Sequence, residues 1–201
     1  MVRCLVGGEV SIKMPATPPK LPPQHWLDFL SDLSHRLPIR MELHCAGAFA
    51  ASARYGIGSL LRRELDYIAT RPPSGTALLE RGATKGSALA REHRLSLRFY
   101  PAEFIEDYEK RLAPIFAGRF PRLRLYAMEA HDLALSTLGS SRATDSALLR
   151  ALTAGRLLRA AVLEKRYVDS LRPYIADPKP LDRIFARWMN AYFAAPSQRV
   201  Q

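Results

Sequence analysis

The chain has 201 residues, 48% of them hydrophobic, enough for one domain or for a core that carries a helical extension. It contains no apolar run of about 18 residues or more and no N-terminal apolar stretch leading to a cleavage site, so neither a membrane span nor a secretory signal is expected. A formal charge of +11 permits phosphate-rich partners, yet the basic residues are scattered from Arg36 to Arg199 with no block of five, so charge alone assigns none. Cys4 and Cys45 are the only cysteines, and Cys45 falls in a predicted buried strand, which fits a reducing cytoplasm rather than a disulfide scaffold. The cysteines and histidines show no close zinc-ligand spacing.

In chain order, residues 1–23 carry Pro15, Pro18, Pro19, Pro22 and Pro23 and are expected to be extended or disordered, outside the compact unit. Trp26, Leu27, Phe29, Leu30, Leu33 and Leu37 fall at helical spacing over His25–Leu37, and Pro38 stops that helix. Ile39–Cys45 alternates as a first strand, with Ile39, Met41 and Leu43 on one face and Arg40, Glu42 and His44 on the other. Gly47 breaks it, and Ala48–Arg54 reads as a short Ala-rich helix ended by Gly56 and Gly58. A second strand spans Glu64–Ala69, a loop Arg71–Gly75, and short helices Ala77–Arg81 and Ser87–His93. Leu95, Leu97 and Phe99 alternate with Ser96, Arg98 and Tyr100 in a third strand.

Ala102–Arg111 predicts a helix, with Glu103, Glu106, Asp107 and Glu109 toward its start and Lys110-Arg111 at its end, the order that suits the helix dipole. Arg122–Met128 is a fourth strand, with Leu123 and Leu125 inward. Helices follow at 130–138, 144–152, 157–175 and 180–193, and Arg172-Pro173 kinks or ends the third. The expected class is α/β (α+β): a small mixed sheet flanked by helices over 24–128, then a C-terminal helical bundle over 129–201.

The chemistry concentrates around residues 43–68. Glu64 and Asp66 are two apart on a strand, so their side chains share a face. Two carboxylates held this way suit a hard divalent cation such as Mg²⁺, which keeps some positions for water and phosphate. The small residues near Gly47 allow backbone N–H groups to approach a triphosphate at a helix start. Such an acidic pair also occurs at ordinary solvated strand ends. Leu133, Leu135, Leu138, Trp188, Tyr192 and Phe193 read as packing, and His131 as a surface or core-satisfied histidine rather than a ligand.

This order of strand, glycine turn, helix and acidic strand resembles the nucleotidyltransferase superfamily, and more closely the AbiEii-type toxin nucleotidyltransferases and their bacterial relatives. The likeness continues through ordered blocks: Asp107-Tyr108-Glu109-Lys110-Arg111-Leu112, Leu123-Arg124-Leu125-Tyr126-Ala127, His131-Asp132-Leu133-Ala134-Leu135-Ser136, Arg166-Tyr167 and Leu171-Arg172-Pro173-Tyr174, then the last helix around Trp188. It covers roughly 41–193. The resemblance implies a nucleotidyltransferase-like fold that transfers a nucleoside monophosphate from an NTP to tRNA, another RNA or a protein hydroxyl. It implies Mg²⁺ on Glu64 and Asp66, phosphates along Gly47 and Ala48, and Arg62, Arg63 and Arg142 as nucleotide-binding cations. Asp145 would orient a basic or substrate group, and a cognate antitoxin would be a partner.

The sequence departs from that pattern where the chemistry should be. The usual Gly-Gly turn is Gly47-Ala48, the Arg-x-Thr before the acidic pair has no equivalent in Ser59–Arg62, and the first acid is Glu64 rather than Asp. Active relatives draw a third carboxylate from the next strand, and Arg98 stands on the polar face there. The Ser-Lys-Leu block is Ser136-Thr137-Leu138, and of the acids that follow only Asp145 is present, with Arg142 and Arg150 one turn off. Two readings therefore compete: an Mg²⁺-dependent nucleotidyltransferase, and a catalytically degraded relative that binds a nucleotide, RNA or a protein. A basic nucleic-acid-binding domain without a nucleotide pocket is a third, and it lacks interleaved aromatics.

Overall fold

The computed structural model describes residues 23–57, 62–100, 105–138 and 143–193, with the side chains of 143 and 144 outside that description. The Pro-rich segment expected to be extended lies, apart from Pro23, outside the described residues. The class is mixed α/β, as the periodicities require: a five-stranded sheet carrying helices, in the order β3 (Ser96–Phe99), β2 (Glu64–Arg71), β1 (Met41–Cys45), β5 (Leu123–Ala127), β4 (Ala113–Ile115).

Helix α1 (Gln24–Arg36) buries Trp26, Leu27, Phe29, Leu30 and Leu33, the stripe its spacing predicts. Strand β1 (Met41–Cys45) is central, and Met41, Leu43 and Cys45 are buried. Ile39, expected to begin that strand, lies before it and is exposed. Helix α2 (Gly47–Tyr55) buries Ala50, Ala51 and Ala53, whose small side chains let it lie close to the sheet. Gly56 ends it in the left-handed region at φ 73°, its N–H bonded to Ser52 O at 2.9 Å, a conformation glycine adopts without a Cβ penalty. Trp26 meets Phe49 at 5.1 Å between centroids and so joins α1 to α2.

Strand β2 (Glu64–Arg71) runs antiparallel to β1, and β3 (Ser96–Phe99) runs parallel to β2. Helices α3 (Gly75–Gly82) and α4 (Ala88–His93) form the crossover between them, and the Ser87 hydroxyl caps α4 by accepting from Ala90 N–H at 3.1 Å. Because β1 enters the turn at the end where β2 and β3 begin, the topology gathers Gly47, Glu64 and the start of β3 at one end of the sheet. A register shift after His44 pairs Cys45 with Tyr67 and leaves Ile68 as an extra residue, a bulge two positions from Asp66.

Three expectations need correction. The helix over 102–111 is absent from its described part: residues 108–111 form only a 3-10 turn (Tyr108–Arg111), because Asp107 sits at φ 60° and breaks the α-helical path. The chain then adds a fifth strand, β4 (Ala113–Ile115), antiparallel to β5 (Leu123–Ala127), where four strands were expected in all. The long helix over 157–175 is broken into α7 (Ala160–Arg166), a π-turn (Tyr167–Leu171) and a 3-10 turn (Arg172–Tyr174). Pro173, with no N–H to donate, falls in that last turn.

Helices α6 (Ala143–Ala154) and α7 each pack on α5 (Ala130–Ser136), and α5 and α6 also pack on α2, so the C-terminal helices share one apolar core with the sheet. Helix α8 (Lys179–Phe193) is held by Phe185 stacked on Tyr167 at 4.1 Å. Asp182 reinforces it, accepting from Tyr167 Oη and Arg172 Nε, each at 2.8 Å. Trp188 is buried as the packing reading requires, whereas Tyr192 is exposed. No helix among the described residues is long and apolar enough to cross a membrane.

Candidate functional site

The site begins at Gly47, which follows β1 directly. Its φ of +61° lies in the left-handed region, and a Cβ there would stand 2.7 Å from Asp66 Oδ2. Both features demand glycine: the backbone angle strains an L side chain, and the carboxylate fills the space a methyl would need. A backbone bond from Ala46 N–H to Asp66 O, at 2.8 Å, fixes β2 against the turn. Asp66 is thus 8% exposed and set beside the first residue of α2, where a helix N-terminus favours a carboxylate. Ala48 is half-buried in the first turn of the same helix.

Parallel pairing places Arg98 of β3 opposite Asp66, so the two side chains share a face of the sheet. The Arg98 Nε and Nη2 reach Asp66 Oδ1 at 2.7 and 2.5 Å, and Nη1 reaches Glu64 Oε2 at 3.0 Å. One planar guanidinium therefore joins both acids of the pair. The residues present do not fit a shared Mg²⁺ as they stand, because Glu64 and Asp66 both already hold the Arg98 cation.

Among the described residues, the grouping of three His, Asp or Glu close enough to share an ion is elsewhere, at Asp32, Glu92 and His93. There His93 Nε2 and Asp32 Oδ2 are bonded at 2.8 Å, and Glu92 accepts from Arg36 at 2.8 Å.

The other expected site residues divide. Arg62 and Arg63 are exposed on the approach to β2, and Arg63 borders Glu64. Asp145 is buried on a different element, in the first turn of α6, a helix that packs on α2. Arg142 lies outside the described residues.

Two groups of charges were not read from the sequence as centres. The first is a cleft of about 290 Å³ lined by Arg63, Lys85, Arg91 and Arg94 together with Glu64. The signal for it was faint: Arg91 lies in the last turn of α4 and Arg94 is the left-handed residue that ends it, and Lys85 and Arg63 join them only through the crossover.

The second is buried. Asp132, fully enclosed, accepts from Arg111 Nε at 2.8 Å and Nη2 at 3.2 Å, and from Arg166 Nη1 at 2.9 Å. Arg166 also pairs with Glu129. His131 Nε2 accepts the Arg159 N–H at 2.9 Å, so its proton lies on Nδ1 and is donated to Glu129 Oε1 at 2.7 Å. Burial alone would raise Glu129, but the His131 hydrogen bond and the Arg166 cation outweigh it and hold the carboxyl at about 2. His131 is buried and satisfied within the fold, the core-satisfied of the two readings its sequence allowed. This network ties the 3-10 turn, α5 and α7 together, a structural role.

Comparison with family models, with curated proteins and with solved structures finds no match for this chain.

Proposed function

We propose that this chain is a nucleotidyltransferase-like protein in which Arg98 stands where the metal ion would, so that it acts by binding and not by nucleotidyl transfer. The observation that carries this reading is the double contact of Arg98 with Glu64 and Asp66. Nucleotidyl transfer relies on cations that neutralise the triphosphate and on carboxylates free to hold them. Here the carboxylates spend their charge on a side chain of their own sheet. The Gly47 turn and Asp66 then serve as a rigid, internally paired corner, and the remaining exposed cations carry the interaction with a partner. Of the partners the resemblance implies (an NTP, tRNA or another RNA, an antitoxin), this reading favours RNA.

The competing reading, an active enzyme, draws on one observation: Asp66 stands beside Gly47 at the start of α2, the strand-turn-helix arrangement the chemistry needs. It requires Arg98 to leave both acids when Mg²⁺ and NTP arrive. Incubation with radiolabelled NTPs, Mg²⁺ and total RNA separates the two. No incorporation above that of Asp66→Ala is expected; label transferred by the unaltered chain and lost in Asp66→Ala would restore the enzyme.

A further inference from the structure

We infer that the cleft bordered by Arg63, Lys85, Arg91 and Arg94 is a docking surface for the phosphodiester backbone of a nucleic acid. This deepens the binding reading above and rests on it. The four cations come from three places in the chain: the approach to β2, the turn before α4, and α4 with the residue that follows it. The fold brings them together because Ser96 N–H bonds to Arg63 O at 2.9 Å, which sets the start of β3, and Arg94 with it, beside Arg63. Arg91 is steadied on the turn by a 2.6 Å bond to Gly86 O.

All four side chains belong to exposed residues, and Arg63, Lys85 and Arg94 make no ion pair among the described residues. Among the described residues the one acid lining it, Glu64, is already paired with Arg98 and so cancels little of their charge. Four like charges lining one cleft repel one another, and an anionic ligand relieves that repulsion.

The shape selects among anions. The cleft holds about 290 Å³, at the lower bound of pockets that enclose a small molecule, and among the described residues no aromatic ring lines it on which a base would stack. Its cations are supplied by separate stretches of chain rather than by one phosphate-binding loop, which suits successive phosphates of a strand better than a single triphosphate. With a chain charge of +11, long-range attraction favours the same class of partner. Phosphate contacts of this kind position a strand without reading its sequence.

The test is fluorescence anisotropy with a labelled single-stranded RNA of mixed sequence, in EDTA so that no metal contributes. The variant Lys85→Gln/Arg91→Gln/Arg94→Gln changes only exposed side chains. The control Lys179→Gln/Arg183→Gln/Arg187→Gln removes the same charge from α8. Binding is expected to weaken roughly tenfold to a hundredfold in the cleft variant and by much less in the control, with a salt slope of about −3 falling toward −1 when the cleft is neutralised. A DNA strand of the same length should compete comparably, and ATP only at far higher concentration. Equal losses in both variants, no RNA binding at all, or displacement by low ATP would each overturn the cleft assignment. Because no metal or turnover enters the measurement, any of these leaves the Arg98 reading standing or falling on its own test.

Discussion

Asp66 Oδ2 lies 2.7 Å from the point where a Cβ on Gly47 would sit, so the glycine turn and the acidic strand are fitted to each other at the level of single atoms. Gly47→Ala is expected to cost about 2–3 kcal/mol, from the left-handed backbone and the overpacked carboxylate together. In a protein of this size that is a fall in melting temperature of roughly 4–12 °C. Asp66→Ala in the same chain should recover the contact part of the loss and not the backbone part, which a double-mutant cycle by thermal melts resolves.

Removing the guanidinium tests its structural share. Arg98→Ala leaves Asp66, whose side chain is only 10% exposed, without a charge partner it now has, and should destabilise by about 1–3 kcal/mol in urea unfolding. Arg98→Lys should recover only part of this, since an ammonium cannot engage both acids with a planar fork.

The buried network makes a larger demand. Asp132 is fully enclosed between Arg111 and Arg166, and Asp132→Ala removes the carboxylate from Arg111 and leaves Arg166 with Glu129 alone. A loss of about 3–5 kcal/mol is expected by chemical denaturation, larger than for any exposed ion pair such as Arg36–Glu92.

Glu129 gives that network an acid limit. Its carboxyl is held at about 2 in the fold against an ordinary value of 4.5, so the folded state prefers the ionised form. The stability this contributes is present above pH 4.5 and is lost as pH falls toward 2. Melting temperature followed over that window should drop more steeply for the unaltered chain than for Glu129→Gln, which has no such proton to bind.

Much of the frame was legible in the residues. The stripe Trp26–Leu33, the alternation at Met41–Cys45 and Leu123–Ala127, and the i, i+2 acids of β2 carry their own periodicity, and the structure keeps them. Arg98 was legible as the residue on the polar face of the neighbouring strand, and the register puts it opposite Asp66.

What escaped depends on contacts distant in sequence. The acidic run at 103–109 suits a helix start, but Asp107 turns left-handed, and β4 forms only because β5 offers its edge. The bulge at Ile68 is set by pairing with β1, and the Arg111–Asp132–Arg166 centre by the packing of three separate elements. The basic rim needs the crossover to bring Arg63 to Arg94, and no local pattern announces it.

The most direct measurement is isothermal calorimetry of Mg²⁺–ATP binding to the unaltered chain, to Arg98→Ala and to Asp66→Ala, each checked for an unchanged fold by circular dichroism. With Arg98 seated between Glu64 and Asp66, the unaltered chain should bind more weakly than about 1 mM, and Arg98→Ala should bind measurably tighter because the two acids are released. Tight binding by the unaltered chain that Asp66→Ala abolishes and Arg98→Ala leaves unchanged would contradict the closed site.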